Sequence, residues 1–302
     1  TKNLSHYEIL GPLGRGSNSF VYKAKCVLTG GTVALKVIDI TSDERKARAK
    51  KEVGLHKSLC HESIVAYIDD FKDDSYWYLV LEYCEKGELY SHLKRRNFAL
   101  NEDEIRHIGS QLLRALEYLE SRNIAHLDVK LGNIFINKCM EVKLGDFGFA
   151  EICAKSAKES NTAQECAPLK KNDSKHGLGV RAKSQSVHHK SNNISLIAGT
   201  PSYIAPEALE IGSKSPKSDI WSASCVLFAL ATGKTPFEAK DMSTTFANIM
   251  AGVVQYPSHL SANFVSALRS AFERSPHKRA SARQLLDAPF FDSKCMDEST
   301  LS

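Results

Sequence analysis

The chain has 302 residues, of which 42% are hydrophobic and 25% are charged, and its formal net charge is +5. This length and balance predict a globular protein with a buried core, either one large domain or two lobes. They exclude a collagen, a coiled coil and a mostly disordered chain. Since no apolar run reaches about 18 residues, we expect no membrane span.

The chain shows no targeting segment and no cysteine framework. Thr1, Lys2 and Asn3 are not followed by an apolar stretch, so we expect no signal peptide, and we treat both ends as open to extension. The eight cysteines form no C-x-x-C pair and match no histidine spacing. This pattern argues against disulfides and zinc and favours reduced thiols in the cytosol or nucleus.

The first part of the chain has the pattern of an antiparallel sheet with one helix. Strand-like runs at 20–25 and 32–38 flank a Thr-Gly-Gly turn, which indicates a hairpin. Two more strands are predicted at 64–71 and 76–82. Between the two pairs, the charged segment 43–59 keeps its apolar residues on one side, which favours a helix.

From residue 87 on, apolar residues recur every three or four positions, as in amphipathic helices. Asn101 and Glu104 form a capping-box pattern at the start of the first of these helices. Further helices are predicted near 219–232, 241–251, 262–272 and 281–287. The sheet part and the helical part meet around 82–87, so the predicted fold class is α+β.

The segment 151–195 fits neither part. It has no Phe, Tyr or Trp and few branched aliphatic residues, and it carries eight basic and four acidic residues. Such a composition cannot bury enough apolar surface to offset its ordering entropy. We therefore expect a disordered, basic insertion and not a separate domain.

Residues 14–21 form a glycine-rich turn. Gly14 and Gly16 lack a Cβ that would obstruct the approach of backbone amides to phosphate oxygens. When these residues are considered alone, a plain hairpin turn is the better explanation. A strand follows the turn where a dinucleotide-binding fold would need a helix, which argues against that fold.

Lys36 ends the run Val-Ala-Leu-Lys among apolar neighbours. Desolvating an unpaired ammonium there would cost several kcal/mol, so the side chain needs anionic partners. Phosphates on one side and a helix carboxylate on the other would supply them. Glu52 is the predicted carboxylate and Glu44 the alternative. When Lys36 is considered alone, a lysine that reaches solvent from an edge strand explains it equally well.

Polar residues flank a hairpin predicted over 134–144. Asp128, Lys130 and Asn133 precede it, and Asp146 follows it. Because a hairpin returns the chain to its start, Asn133 and Asp146 should lie at the same edge of the sheet. An amide oxygen and a carboxylate are hard ligands suited to Mg²⁺ that carries phosphates. Each residue alone could cap a loop, but chance poorly explains their joint spacing.

Taken in order, these motifs resemble those of eukaryotic protein kinases over residues 7–291. The matching parts are the glycine-rich loop, Lys36, Glu52, the loop from Asp128 to Asn133, Asp146-Phe147-Gly148, Ala205-Pro206-Glu207, Asp219 and Arg279. In that family, the residue matching Arg279 pairs with the residue matching Glu207.

The resemblance implies a bilobal kinase fold. A small lobe over about 7–82 would hold an antiparallel sheet and one main helix, and a hinge would follow over about 82–87. A larger, mainly helical lobe would span about 88–291. The 151–195 insertion would then lie in the activation loop, and 292–302 would form a tail.

The same resemblance implies a role for each residue of the site. Lys36, held by Glu52, would orient the inner phosphates of ATP, while Asn133 and Asp146 would hold Mg²⁺. The residues implied to contact ATP are Leu13, Gly14, Gly16, Val21, Ala34, Lys36, Leu81, Glu82, Cys84, Glu88 and Phe135.

Catalysis would centre on Asp128, which accepts the proton of the substrate hydroxyl. Lys130 would steady the transferred phosphoryl group, and Thr200 of the activation segment would contact both residues. We expect His126 to pack in the core and to bond to backbone, with no acid–base role.

Three phrases are most similar to polo-like serine/threonine kinases: 128–133, 143–150 and 199–207. NIMA-like, aurora-like and autophagy-initiating kinases are alternatives. The polo-like resemblance implies phosphorylation of protein substrates on serine or threonine, and a cell-cycle or centriole role. The implied location is cytoplasmic, nuclear or centrosomal. Phe149, after Asp-Phe-Gly, implies a preference for serine.

Other positions depart from the family pattern. Ser19 replaces the third glycine of the loop, past the phosphates. Leu127 replaces an arginine that binds an activation-loop phosphate in related kinases. Leu196 aligns with the polo-like activating threonine, and Ser195 lies one position away. We hypothesise that this chain is not switched on by that phosphorylation but by the 151–195 segment or by a partner bound to it.

Two other classes compete with an active kinase. Leu127, Ser19 and the insertion would also suit a pseudokinase scaffold that binds partners with little phosphotransfer. The basic charge alone suggests a nucleic-acid-binding module, but the chain has no basic face interleaved with aromatic residues. We therefore expect no nucleic-acid partner.

Overall fold

A computed structural model describes residues 2–16, 18–96, 100–153 and 201–292. Several predicted features lie outside these ranges. They are the site residue Thr200, the activation-loop positions Ser195 and Leu196, and the predicted insertion from residue 154 on. The first residues of that insertion are an exception to the prediction. Glu151 and Ile152 form a short strand because they pair with Ala125 and Ile124.

All strands of the described residues lie before residue 153, and only helices follow from residue 201 on. The strands are β1 (Tyr7–Arg15), β2 (Ser19–Cys26), β3 (Thr32–Asp39), β4 (Tyr67–Lys72), β5 (Tyr76–Glu82), β6 (Gly87–Glu88), β7 (Ile124–Ala125), β8 (Ile134–Ile136), β9 (Val142–Leu144) and β10 (Glu151–Ile152). The helices are α1 (Asp43–Lys57), α2 (Leu89–Arg95), α3 (Glu102–Ser121), α4 (Pro206–Ile211), α5 (Pro216–Thr232), α6 (Met242–Ala251), α7 (Ala262–Ala271) and α8 (Ala282–Leu286).

The first lobe is an antiparallel sheet in the order β1-β2-β3-β5-β4. Side chains alternate between its two faces. Ile38 packs with Val53 of α1 and Leu79 on one face, while Leu35 packs with Val80 on the other. Lys36 lies two positions before Ile38, so it shares the face that α1 covers.

Strand β4 begins at Tyr67 and not at residue 64 as predicted. Ile64 forms an isolated parallel bridge to Leu144, and the Val65 amide donates to the Leu144 carbonyl at 2.9 Å. These residues therefore pair with β9 instead of extending β4. An apolar run in the sequence does not show which strand it pairs with.

The second lobe is built around α5, in which 12 of 17 residues are buried. Trp221 of α5 is fully buried and stacks on Phe237 at a centroid distance of 5.0 Å, as a core residue. Helix α3 packs its apolar face against α5 and α8. In the part of the chain that the structure covers, no helix combines the length and apolar character needed to cross a bilayer.

Two glycines within helices should respond in opposite ways to alanine. A Cβ at Gly54 of α1 meets nothing within 4 Å, whereas one at Gly109 of α3 lies 2.7 Å from Leu227 and 2.9 Å from Phe291. We expect Gly54→Ala to raise the free energy of unfolding by about 0.5–1 kcal/mol, because alanine favours the helix. We expect Gly109→Ala to lower it by about 1–3 kcal/mol through overpacking. Urea unfolding measures both, and shifts of the same sign would contradict this packing.

Candidate active site

Lys36 lies between two carboxylates. Its Nζ atom is 2.6 Å from Glu52 Oε1 and 2.7 Å from Asp146 Oδ1. Burial disfavours the charged ammonium, but the two carboxylates outweigh it and raise the pKa of Lys36. The predicted partner Glu52 is therefore the one that the fold supplies. Glu44, the alternative, pairs with Arg48 on α1 at 2.6 Å.

The β8–β9 hairpin brings Asp146 next to the loop that ends at Asn133. The Gly145 amide donates to the Asn133 carbonyl at 2.9 Å, so the two polar residues meet where the hairpin closes, as predicted. Burial opposes ionisation of Asp146, but the Lys36 ammonium outweighs it and lowers the pKa of Asp146 to about 2. The Asp146 side chain remains 40% exposed, so an ionised carboxylate faces the site.

Asp128, Lys130 and Asn133 form a second polar cluster. Lys130 Nζ lies 2.8 Å from Asp128 Oδ2, and Asn133 Nδ2 lies 2.7 Å from the same oxygen and 2.8 Å from the Asp128 carbonyl. Burial raises the pKa of Asp128, and Lys130 opposes that rise. Because both acceptors face Nδ2, the amide oxygen of Asn133 would be the atom that binds a cation.

This donor set fits magnesium. One carboxylate at Asp146 and one amide oxygen at Asn133 are too few ligands for a protein-only calcium cage. They match the usual Mg²⁺ site, in which one or two protein oxygens act with substrate phosphates.

The loop that carries Asp128 is held by a buried carboxylate. The two Asp219 oxygens accept from the His126 amide at 2.7 Å and from the Leu127 amide at 2.8 Å. Leu127 adopts a left-handed conformation with φ of 64°. Burial raises the pKa of Asp219 to about 7, against the effect of the two N–H groups. Asp219 thus stabilises a backbone turn that a leucine rarely adopts.

His126 is buried and structural, as expected. Its Nε2 atom is 3.0 Å from the Gly145 carbonyl, and its Nδ1 atom is 3.3 Å from the Asp128 amide. Nε2 must therefore carry the hydrogen and Nδ1 accept one. Burial lowers the pKa of His126 to about 4, so the ring is neutral near pH 7.

A column of rings that was not predicted from the sequence links α1 to the loop that carries Asp128. Phe147 packs against His126 at a centroid distance of 4.9 Å and against His56 at 4.8 Å. His56 Nε2 also bonds to the Val65 carbonyl at 2.8 Å. The available signal was spacing, because His56 follows Glu52 by four residues and so shares its helix face.

The apolar residues implied to contact ATP come from several strands and from the segment after β5. Ala34, Leu81, Cys84 and Phe135 belong to one apolar cluster beneath the sheet. Leu13 of β1 is outside that cluster and 43% exposed.

The register of the strands places the other residues implied to contact ATP opposite one another. Val21 pairs with Gly14 and with Lys36, and Glu88 of β6 pairs with Phe135. The Glu82 amide donates to the Ala66 carbonyl at 2.9 Å. That N–H is therefore unavailable to a base.

The glycine-rich turn closes through its own backbone. The Gly16 amide donates to the Ser19 carbonyl at 2.8 Å. A Cβ at Gly16 would lie 2.7 Å from Ser19 Oγ, whereas a Cβ at Gly14 would meet nothing within 4 Å. Neither glycine has a left-handed φ. Packing against Ser19 therefore explains a glycine at position 16, but no such contact explains the glycine at position 14.

A second buried ion pair lies outside this site. Arg279 donates to both Glu207 oxygens, at 2.7 and 2.8 Å, and Ser218 donates to Glu207 Oε1 at 2.8 Å. Both partners are buried. Burial opposes the charge on Glu207, and Arg279 lowers its pKa. The pairing expected from the kinase resemblance is thus present.

A family model described as a protein kinase domain matches residues 7–169 and 177–291. The chain is 30% identical over 298 residues to serine/threonine-protein kinase PLK4 of Nematostella vectensis, covering 98% of this chain and 27% of that protein. PLK4 of Drosophila grimshawi is 31% identical, with 96% and 34% covered, and PLK4 of Danio rerio is 31% identical, with 95% and 27% covered.

The chain thus spans about a third or less of the length of these curated relatives. The family model, by contrast, accounts for most of the chain and includes both polar clusters. The protein therefore belongs to the protein kinase family, as a serine/threonine kinase domain that resembles the polo-like kinases.

Proposed function

We propose that the chain transfers the γ-phosphoryl group of ATP to serine, in preference to threonine, in protein substrates. The observation that carries this proposal is the meeting of two polar clusters at one hairpin. Lys36, Glu52 and Asp146 form the first, and Asp128 with its lysine and asparagine neighbours forms the second. Phosphoryl transfer needs this combination of fixed charges and a hydroxyl-directed carboxylate.

Each cluster would act on a different part of the reaction. Lys36 would bind the inner phosphates of ATP, with Glu52 fixing its ammonium. Asp128 would accept the proton of the acceptor hydroxyl, since burial makes its carboxylate a stronger base than an exposed aspartate. Lys130, 2.8 Å from Asp128, would neutralise the phosphoryl oxygens beside it.

Asn133 and Asp146 would hold Mg²⁺. When bound, the ion would neutralise charge on the phosphate oxygens. The apolar cluster of Ala34, Leu81 and Phe135 would bind the adenine. Leu13 and Val21 would close over the base, the backbone from Glu82 to Cys84 would read its edge, and Glu88 would bond the ribose.

The first experiment measures transfer of labelled phosphate from ATP to a mixed protein acceptor, followed by phosphoamino-acid analysis. We expect phosphoserine to form with Mg²⁺ present and to disappear with a chelator. A folded protein that transfers no phosphate under any Mg²⁺ concentration would instead support the pseudokinase scaffold.

Gly14→Val tests whether the glycine-rich turn approaches the phosphates. A Cβ at this position meets no protein atom within 4 Å, so we expect the free energy of unfolding to change by less than about 0.5 kcal/mol. A branched side chain there would obstruct phosphate, so the KM for ATP should rise about tenfold or more. Gly31→Val, in the next hairpin, serves as the control. An unchanged KM for ATP would argue against this role of Gly14.

Phe149 should set the preference between acceptors. It follows Asp-Phe-Gly, and the residue is 42% exposed. Kinases with a large apolar side chain there tend to prefer serine. With peptide pairs that differ only by serine or threonine, we expect a higher kcat/KM for serine, and a smaller ratio after Phe149→Thr. A wild-type preference for threonine would contradict the assignment.

The finer biological role follows from the polo-like resemblance. It implies a cell-cycle or centriole function at a cytoplasmic, nuclear or centrosomal site. The regulatory partner that we propose for the 151–195 segment rests instead on Leu127 and Leu196, which replace both halves of the activation-loop phosphate switch. Microscopy of the tagged full-length gene product, with a centriole marker, tests the location. Diffuse signal at every cell-cycle stage would argue against it.

A further inference from the structure

Glu151 bonds to two lysines from distant parts of the chain. Its Oε1 atom is 3.1 Å from Lys51 Nζ and 2.9 Å from Lys214 Nζ. Burial opposes ionisation of Glu151, but the two lysines lower its pKa. The carboxylate therefore stays charged at neutral pH and carries both contacts.

The two lysines belong to elements that differ in how firmly they are held. Lys51 directly precedes Glu52 on α1. Lys214 lies two residues before α5 begins. The side chains of α5 form the core of the second lobe. Glu151 itself is fixed by the pairing of β10 with β7. The carboxylate thus connects α1 to the start of α5, in which 12 of 17 residues are buried.

Helix α1 depends on such contacts. Only five of its 15 residues are buried, and Gly54 lies in its interior. Glycine lowers helix propensity, and a mostly charged helix gains little from apolar packing. The 2.6 Å contact between Glu52 and Lys36 nevertheless requires α1 to be held close to the sheet.

The position of Glu151 explains how α1 can be held close to the sheet although residue 127 is a leucine and not an arginine. Glu151 pairs with Ala125 of β7, and the chain runs from there directly to Leu127. Leucine cannot bind a phosphate. At this junction, the chain supplies a carboxylate of its own, already bonded to α1.

We propose that Glu151 is a positioning residue. Its carboxylate, a permanent anion, binds Lys51 and Lys214 and so holds α1 in place. Because Glu52 lies on α1, this keeps Glu52 against Lys36. This inference deepens the proposed kinase function and rests on it, because positioning of Glu52 matters only if Lys36 binds ATP.

The test is Glu151→Gln, which keeps the size of the side chain and removes its charge. We expect kcat to fall about three- to tenfold, the range for two exposed ion pairs acting on one helix, with the KM for the acceptor unchanged. High salt should bring wild-type kcat down towards the variant, since exposed pairs are screened. Amide hydrogen exchange in α1 should be faster in the variant.

Charge reversal supplies the rescue. Glu151→Lys should lower kcat further, because three cations would then meet. The triple variant Glu151→Lys, Lys51→Glu, Lys214→Glu restores the contacts with opposite sign and should recover most of the loss. The matched control is Arg48→Gln, which also removes a charge from α1. Among the ion pairs of the described residues, Arg48 pairs only with Glu44, so this variant should leave kcat and amide exchange unchanged.

An unchanged kcat and unchanged α1 exchange in Glu151→Gln would overturn the inference, as would a triple variant no better than Glu151→Lys. Failure of the proposed function looks different. In that case the wild-type protein transfers no phosphate, while faster exchange in α1 of Glu151→Gln still reports the contact.

Discussion

Asp128→Asn is expected to lower kcat for phosphotransfer by about 10²–10⁴-fold, the usual contribution of a positioned general base. The amide cannot accept the hydroxyl proton. In the wild-type protein Lys130 Nζ lies 2.8 Å from the Asp128 carboxylate. The amide oxygen of the variant can still accept from Lys130, so the loop should keep its conformation. Steady-state kinetics with a peptide acceptor, alongside nucleotide binding by calorimetry, measures the effect.

The control is Asp287→Asn, at an exposed aspartate near the end of α8 that pairs with Arg283. It should leave kcat unchanged. If Asp128→Asn kept more than about a tenth of the wild-type kcat, another group would have to be the base.

His126 is the neighbouring group most easily mistaken for that base. Both of its ring nitrogens already bond, to the Gly145 carbonyl and to the Asp128 amide, and the ring is fully buried. We therefore expect no inflection from a histidine near its usual pKa of about 6.5 in the pH profile of kcat. Loss of activity at acid pH should instead follow protonation of a carboxylate.

Arg279→Met should produce the largest loss of stability, about 3–5 kcal/mol, because it leaves the Glu207 carboxylate buried without its charged partner. The side chain also donates to the backbone carbonyls of Glu273 and Lys217, which would lose a partner. Urea unfolding of the two proteins at the same pH measures the difference.

The double variant Glu207→Leu, Arg279→Met separates the ion pair from its surroundings. Removing both charges leaves no uncompensated carboxylate, so the double variant should be more stable than Arg279→Met alone. Losses that simply add in the double variant would show that the two side chains act independently, contrary to their 2.7 and 2.8 Å contacts.

Residues whose chemistry demands a partner were predictable from the sequence. A lysine in an apolar strand needs a carboxylate, and Glu52 is where that reasoning placed it. The β8–β9 hairpin was likewise predicted, from two short apolar runs on either side of a turn, and it brings Asn133 beside Gly145. Local rules sufficed in these cases because each contact is close in sequence or strongly required by burial.

Other features depend on which distant segments meet. Ile64 has the pattern of β4 but bridges to Leu144, a choice that only tertiary packing decides. Leu127 is held in a left-handed conformation by Asp219, and no local pattern predicts it. The contact of Glu151 with Lys51 joins charged surface residues about 100 positions apart, and exposed charges carry no periodic signal.

Single-turnover transfer from labelled ATP tests the central claim most directly, with wild-type protein and Asp146→Ala compared after circular dichroism shows both to be folded. Asp146 contacts Lys36 and is one of the two proposed Mg²⁺ ligands. We predict rapid transfer by the wild-type protein and a loss of about a thousandfold or more in the variant. Equal rates in the two proteins, or no transfer by the wild-type protein, would contradict the account.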